Sequence, residues 1–292
     1  GQTLFVIKPN SYQFLLDEYN LPQFYYNYRP TGSPESKYKG IKPTGKLPKE
    51  INFALVPSQE SEQFTAYAFG DPQAYNLEEI QYFKDGIVNE IDNNKAVFGI
   101  SLGDLVGDDL DLHLHYKNAI KQIGLPWYNV IGNHDMNYDA KIDEHSDESF
   151  EQNFGPANYS YNYGKVHFIV LDNILYPDPR DGKSYWGGFR EDQLKFIEND
   201  LKHVPKDHLI VLSHHIPLAD NNGEWFRVED RDRLFDLLAE YPNTLSLSAH
   251  THIQQQLFYG KDKGFNREKP HHEYNVGTTS GDWYSGVKNE QG

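Results

Sequence analysis

The sequence from residue 64 onward alternates between short apolar runs, which predict β-strands, and longer runs with apolar residues at helical spacing, which predict α-helices. Residues 64–69 and 96–102 predict strands, and residues 77–91 and 109–123 predict helices. Strands that alternate with helices are typical of α/β domains with a largely parallel sheet, so α/β is the predicted fold class. Later strands are predicted at residues 127–131, 166–171, 209–212 and 244–247.

Each of these strands is followed at once by a side chain that can bind a metal ion or carry charge. Asp71, Asp104 and Asn133 each come after a strand, and about 30 residues, the length of one βαβ unit, separate them. Because open α/β sheets place their active sites beyond the carboxyl ends of the strands, we expect these side chains to lie close together. The later strands lead into Asp172, His214-His215 and His250-Thr251-His252.

The side chains at the strand ends are oxygen and imidazole donors, a set that suits manganese, iron, zinc or magnesium. The chain has no cysteine, which excludes disulfides, thiolate zinc sites, iron–sulfur clusters and a cysteine nucleophile. At least two carboxylates and three imidazoles are more than one ion needs. We therefore expect two divalent metal ions, about 3.5–4 Å apart, that share a carboxylate.

The charge and hydropathy of the chain exclude two classes of partner. With 27 basic and 43 acidic residues, the formal net charge of −16 disfavours nucleic acids and anionic membranes as partners. No apolar stretch approaches the roughly 18 residues that a membrane-spanning helix needs, so we predict no transmembrane segment.

Five short motifs occur in the order in which one enzyme family has them. They are Asp71-Pro72-Gln73, Gly103-Asp104, Gly132-Asn133-His134-Asp135, His215-Ile216-Pro217 and His250-Thr251-His252. By these motifs the chain resembles the calcineurin-like metallophosphoesterases, and most of all secreted bacterial members with an Asp-x-Gln first motif and a small N-terminal β-domain. The resemblance implies a four-layer α/β/β/α sandwich with a site for two metal ions at the sheet edge.

The resemblance also implies a role for each motif residue. One metal ion would be bound by Asp71, Gln73, Asp104 and His252, and the other by Asp104, Asn133, His215 and His250, with Asp104 bridging the two ions. His134 would face the substrate, oriented by Asp135, and these two residues would form the catalytic pair.

Some assignments stay open at this stage. The family usually has histidine where this chain has Gln73, and a neutral amide oxygen is a weaker donor than imidazole. Gln73 therefore either binds the metal directly, which we favour, or holds a water. The spacing His-x-Pro selects His215 as the ligand and leaves His214 to pack or hydrogen-bond elsewhere. His113 and His115 lie on a polar predicted helix and are expected at the surface.

The N-terminal residues have a different character from the rest of the chain. Prolines and glycines are frequent between Arg29 and Pro57, which predicts a turn-rich linker after a few short apolar runs. We therefore predict a partial β-rich domain and linker over residues 1–58 and a metallophosphoesterase domain over residues 59–292. The resemblance implies a periplasmic or cell-surface location. It also implies that related chains continue past residues 286–292, so we expect a fragment.

The predicted function is hydrolysis of a phosphoester, in a small molecule or a protein, by a hydroxide that bridges two divalent metal ions. A phosphomonoester is preferred as substrate, and a cyclic-nucleotide or lipid-linked phosphodiester is the alternative. A non-catalytic carbohydrate- or surface-binding module with a structural metal site is a further alternative, although such a site has no need of His134 and Asp135. Four residues in loops near the motifs could shape the substrate pocket: Tyr138, Asn173, Trp186 and Trp225.

Overall fold

The predicted alternation forms two β-sheets in the computed structural model, which describes residues 2–218 and 223–279. The smaller sheet has three parallel strands. The larger has six strands, of which the four central ones are parallel and the two at the edges antiparallel. The strands of the described residues are β1 (Gln2–Phe5), β2 (Tyr12–Phe14), β3 (Tyr25–Tyr28), β4 (Leu55–Pro57), β5 (Tyr67–Phe69), β6 (Gly99–Leu102), β7 (Trp127–Val130), β8 (Tyr159–Tyr163), β9 (Val166–Val170), β10 (Ile174–Leu175), β11 (Trp186–Gly187), β12 (Leu209–Ser213), β13 (Asn243–Ser248), β14 (Gln254–Tyr259) and β15 (His271–Val276).

Side chains alternate between the two faces of each sheet, and this alternation produces the layers of the fold. Ile100 and Val130 of the smaller sheet share one buried apolar cluster with Phe168 and Val211 of the larger sheet, so the sheets pack face to face. Their strand neighbours, such as Ile169, belong to a second cluster that includes the helices. The result is the four-layer α/β/β/α sandwich that the resemblance implied.

The helices cover the outer faces of the two sheets. On the smaller sheet, the ring of Phe83 packs edge-on against Phe69 of β5 at 6.1 Å. On the larger sheet, Leu194 and Phe235 belong to the same cluster as Ile210 of β12. The helices of the described residues are α1 (Leu77–Gly86), α2 (His113–Ile120), α3 (Glu148–Phe154), α4 (Glu191–Leu201) and α5 (Val228–Leu238).

Helix α1 is shorter than the predicted 77–91. Its N-terminus is capped by the side chain of Asn76, and the α-helix ends at Gly86. Glycine is about 1 kcal/mol less favourable than alanine inside a helix, and the next residue, Ile87, has left the helical region with φ −121° and ψ −62°. The apolar periodicity continues past this point because a 3-10 turn, Val88–Glu90, follows.

The N-terminal residues pack against the sandwich. Strands β1 and β3 form one antiparallel pair, and β2 and β4 form another. Phe14 and Phe24 are buried in the cluster between the two sheets. The guanidinium of Arg29 is buried between Glu148 and Glu151 of α3, at 2.9 and 2.6 Å. The domain boundary at residue 58 stays a prediction.

Two further predictions concern the ends and the hydropathy of the chain. The continuation expected past residues 286–292 falls outside the described residues. Within the described ranges, no helix combines the length and the apolar character needed to cross a membrane.

Candidate metal centre

Five of the seven predicted metal ligands have backbone dihedral angles in the left-handed region, which L-residues rarely adopt. Each such residue costs of the order of 1–3 kcal/mol, and strained backbone of this kind clusters at functional sites. All five lie just past the end of β5, β6 or β13. Their φ angles are 44° for Asp71, 40° for Gln73, 49° for Asp104, 68° for His250 and 59° for His252.

Glycines at two motif positions let the strand-end loops approach each other closely. A Cβ atom at Gly103 would lie 2.4 Å from Nδ1 of His215. A Cβ atom at Gly132 would lie 2.0 Å from the backbone nitrogen of Asp104 and 2.2 Å from its Oδ1. The glycines of these motifs are therefore required by the packing of the loops that carry the donor residues.

Three predicted ligands bring one donor atom each within 4.8 Å of one another: Asp104, His215 and His250. Nε2 of His215 is 3.1 Å from Oδ2 of Asp104 and 3.2 Å from Nδ1 of His250. Oδ1 of Asn133 is 3.1 Å from the same Nε2. The structure thus brings together the four residues that the resemblance assigned to one of the two ions.

The hydrogen bonds of His215 determine which of its nitrogens faces this cluster. Nδ1 lies 2.8 Å from the backbone carbonyl oxygen of Leu102 and donates its proton to it. A histidine fixed in this way presents the lone pair of its other nitrogen to a metal ion. Nε2 then converges with Asp104, Asn133 and His250, all of which also offer lone pairs. This donor set fits a divalent cation.

The electrostatics of the cluster favour positive charge at the same point. Burial would lower the pKa of His215, but the charge and hydrogen bond of Asp104, together with the charge of Asp71 and the carbonyl of Leu102, raise that pKa to about 9. Burial and the neighbouring His215 lower the pKa of His250 to about 3. Burial would raise the pKa of Asp104, but His215, His134 and His250 together hold that pKa below its ordinary value of 3.8.

The ligands predicted for the other ion lie beside this cluster. Nε2 of His252 is 3.5 Å from Oδ1 of Asp71, and the backbone N–H of His250 donates to Oδ2 of Asp71 at 3.1 Å. Asp71 is fully buried, and burial raises its pKa in spite of the hydrogen bond with His252. The two donor groups therefore lie side by side at one edge of the sandwich.

Gln73 is buried at this edge and contacts both the site and its rim. Its backbone N–H donates to the carbonyl oxygen of Asp104 at 2.8 Å. Its side-chain Nε2 donates to the hydroxyl of Tyr75 at 3.1 Å. Direct binding of a metal by Gln73 stays a prediction.

The ring of His134 has a different partner from the one that the resemblance implied. Its Nδ1 lies 2.7 Å from Oδ1 of Asp108, and its backbone N–H donates to Oδ1 of Asp104 at 2.9 Å. Sequence reasoning missed Asp108, because one more acidic residue in a polar loop carries no signal of its own. A positive φ of 63° sets Asp108 apart from its loop neighbours in the structure.

Asp135 holds the strand-end loops together. Its carboxylate accepts hydrogen bonds from the backbone N–H groups of Gly132 at 2.9 Å and Leu105 at 3.0 Å. It is also 3.1 Å from Nε2 of His113, which is fully buried. The implied pairing of Asp135 with the ring of His134 is therefore wrong, and so is the expected surface position of His113. A catalytic role for Asp135 stays a prediction.

His214 points away from the donor cluster. Its Nδ1 donates to the carbonyl oxygen of Ile216 at 3.0 Å, and its Nε2 lies 3.8 Å from Glu273. Oδ1 of the buried Asn173 accepts the backbone N–H groups of His215 at 3.2 Å and Ile216 at 3.1 Å. The structure thus places His215, and not His214, among the donor atoms, and Asn173 holds the backbone that presents it.

The other loop residues predicted to shape a pocket differ in position. Tyr138 lies beside the side chain of Asn133. Trp186 stacks under the guanidinium of Arg180, 4.1 Å from the ring centroid, and Trp225 is exposed. Of these three, Tyr138 contacts a predicted metal ligand, and a pocket role for the others stays a prediction.

A comparison with protein families decides the family of this chain. The sequence profile described as Calcineurin-like phosphoesterase matches residues 64–254, which contain all seven predicted ligands. The chain belongs to this family. The family is dimetal-dependent, and the group of Asp104, His215 and His250 is a metal-ligand group that the structure contains.

Individual proteins that resemble this chain share less than a third of their aligned residues with it. A protein of Arcobacter nitrofigilis, described as a probable glycerophosphodiester phosphodiesterase GpdQ, is 28% identical over 163 residues, 54% of this chain. The match spans 57% of that relative's length. A dimetal phosphatase from Danio rerio is similar in structure, with a TM-score of 0.49 and 12% identity over 74% of this chain and 87% of that chain. The phosphopantetheinyl hydrolase PptH from Mycobacterium tuberculosis has a TM-score of 0.47 and 13% identity over 75% of this chain and 91% of that chain.

Proposed function

We propose that this chain hydrolyses phosphoesters with two divalent metal ions. The observation that carries the proposal is the convergence of donor atoms from Asp104, His215 and His250 within 4.8 Å at the strand ends. Membership of the calcineurin-like phosphoesterase family supports it. The proposed ligands are Asp71, Gln73, Asp104 and His252 for one ion, and Asp104, Asn133, His215 and His250 for the other.

The residues around these ligands have distinct tasks in the proposed reaction. When bound, two divalent ions supply hydroxide at neutral pH and neutralise the negative charge of the phosphate. Nδ1 of His134 is held by Asp108, so Nε2 is the nitrogen that can hold a proton for the leaving oxygen. Asp135 keeps the loops of Gly132 and Leu105 in register, which keeps Asp104 next to His215.

The substrate class within this reaction has two candidates. We propose a phosphomonoester as the preferred substrate. The Arcobacter relative, described as a glycerophosphodiester phosphodiesterase, supports a phosphodiester as the second candidate. The extracytoplasmic location implied by the resemblance stays a prediction.

The test measures hydrolysis of p-nitrophenyl phosphate and of bis-p-nitrophenyl phosphate by chelator-stripped protein, with Mn²⁺, Zn²⁺, Fe²⁺ or Mg²⁺ added back. Turnover should require metal and be lost in Asp104→Ala. His134→Ala should lower kcat by about 10²- to 10⁴-fold, the usual contribution of a general acid. The exposed His115 offers a matched control, and His115→Ala should retain full activity.

The ratio of the two turnover rates decides between monoester and diester. Two bound ions per chain without turnover of either ester, whichever metal is added, would overturn the proposal and favour a binding module with a structural metal site.

A further inference from the structure

Three tyrosines from three different loops lie next to the proposed metal centre. Tyr75 follows β5 in the loop of the first motif, Tyr138 follows β7 beyond the third motif, and Tyr185 precedes β11. These loops all leave the sandwich at the edge that carries the donor residues. We call Tyr75, Tyr138 and Tyr185 the tyrosine rim.

Each tyrosine of the rim contacts a different motif residue. The ring of Tyr75 meets the ring of His134 edge-on, with 6.0 Å between the centroids. The ring of Tyr185 meets that of His250 in the same way, at 6.1 Å. The phenol of Tyr138 lies beside the side chain of Asn133. The three rings therefore lie beside the residues of the proposed metal centre and next to His134.

The rings of the rim are held in place and yet present apolar surface. Tyr75 and Tyr138 are 42% and 40% exposed. Tyr138 packs edge-on against Tyr176 at 5.2 Å, and the Tyr176 hydroxyl donates to the Tyr138 carbonyl oxygen. Single exposed aromatic side chains are ordinary, but a group of them beside a polar site is typical of a ligand-binding surface.

We propose that the tyrosine rim binds the organic part of the substrate, and that this part carries a flat aromatic group. The inference rests on the proposed phosphoester hydrolysis and narrows its substrates to aryl phosphoesters and nucleotides. Tyrosine faces stack on planar groups, whereas a small polyol such as glycerol offers no flat face. The ring, and not the hydroxyl, is the part of Tyr185 that recognises the substrate.

The decisive experiment measures binding, so that it does not depend on turnover. Mn²⁺-loaded protein is titrated with phenylphosphonate and with methylphosphonate, which share a phosphonate group and differ in the aromatic ring. We expect phenylphosphonate to bind about tenfold more tightly, the size of a good stacking contact. Tyr185→Leu should reduce this preference about threefold to tenfold, while Tyr185→Phe should keep it.

Tyr12 offers a matched control, because it is 39% exposed and lies in the N-terminal pair of strands. Tyr12→Leu should bind both phosphonates as the parent chain does. Equal affinity of the parent chain for the two phosphonates would overturn the proposal. An unchanged preference for phenylphosphonate in a Tyr185→Leu variant that still binds its metal would also overturn it. The same is true if Tyr185→Phe loses this preference as much as Tyr185→Leu does.

A second set of substrates distinguishes an aryl phosphoester from a nucleotide. It also distinguishes failure of the proposed hydrolysis from failure of the tyrosine-rim proposal. Turnover of phenyl phosphate, adenosine 5′-phosphate and glycerol 3-phosphate is compared by kcat/KM. A preference for phenyl phosphate identifies an aryl substrate, and one for adenosine 5′-phosphate a nucleotide, whereas a preference for the glycerol ester contradicts the rim. A retained phosphonate preference without any turnover would reject the proposed hydrolysis alone.

Discussion

The carboxyl group of Glu273 in β15 is fully buried behind the site. It accepts hydrogen bonds from the backbone N–H of Leu218 and from the hydroxyl of Tyr259, with His214 3.8 Å away. Burial raises its pKa from 4.5 to about 7. Between these two pH values the unfolded chain loses this proton while the folded chain keeps it. This group therefore lowers the free energy of unfolding as pH rises from 4.5 to about 7, and its effect is constant above that range.

Glu273→Gln should remove this pH dependence, because an amide can accept the Leu218 N–H and does not ionise. Relative to the parent, the variant should gain up to about 3 kcal/mol in free energy of unfolding as the pH rises from 4.5 to 8. Urea denaturation at pH 4.5, 6 and 8 measures it. Glu50→Gln, at an exposed position, is the control. A difference that is the same at every pH would contradict the prediction.

At the level of single residues, the sequence identified those that lie in motifs or directly after strands. The structure brings four of them, Asp104, Asn133, His215 and His250, together. The sequence did not identify Asp108 or the buried His113. Their positions follow from how one loop folds over another, and no periodicity or spacing in the chain encodes that contact. Sequence can therefore name the donors of such a site before it can name the groups that orient them.

The elements of the fold meet at the metal centre because two glycines leave room for them. Gly132 has an ordinary φ of −111°, so its requirement is for space and not for a special backbone conformation. A Cβ atom there would meet the backbone nitrogen of Asp104, which no side-chain rotation can move. The loop after β7 and the loop after β6 would have to separate.

Gly132→Ala should therefore weaken metal binding by more than tenfold and lower the free energy of unfolding by about 1–3 kcal/mol, the usual cost of overpacking. Gly86→Ala is the matched control, since no heavy atom lies within 4 Å of a Cβ atom at Gly86. That variant should leave the metal affinity unchanged and should not lower the free energy of unfolding. Titration with Mn²⁺ and thermal unfolding are the measurements, and normal affinity in Gly132→Ala would contradict the packing argument.

The positions of the strands and helices near the site could be predicted from the sequence, but the residues at which they begin and end could not. The strand predicted at 64–69 begins only at Tyr67 and ends at Phe69, and the helix predicted to 91 ends at Gly86. Apolar spacing shows which residues are buried, but hydrogen-bonding partners in the sheet and local dihedral angles decide where an element ends. The antiparallel edge strands β8 and β14 have no counterpart in the predicted strands for the same reason.

The N-terminal segment contributes side chains to the interior of the whole molecule. Phe24 is buried, with its ring centroid 5.3 Å from that of Phe14 and 5.0 Å from that of Tyr159 in β8. These contacts join the segment to the cluster between the two sheets. A segment packed in this way should unfold together with the sandwich.

Phe24→Ala should lower the free energy of unfolding of the whole chain by about 3–5 kcal/mol, as expected for loss of a buried aromatic ring. Far-ultraviolet circular dichroism and release of bound metal should report the same single transition. Leu15→Ala, at a position 52% exposed, should have little effect. If metal release in Phe24→Ala were unchanged while part of the circular dichroism signal melted early, the N-terminal segment would be an independent unit.

The left-handed backbone at five predicted ligands has a consequence for how such a site can be lost over time. Positions 71, 73, 104, 250 and 252 accept glycine or asparagine with little strain, whereas most other side chains resist that conformation. In a descendant that no longer needed its metals, a single substitution could remove a ligand side chain while the loop kept its backbone conformation. We expect glycine at these positions in such descendants, because asparagine would keep an oxygen donor of the kind that Asn133 offers.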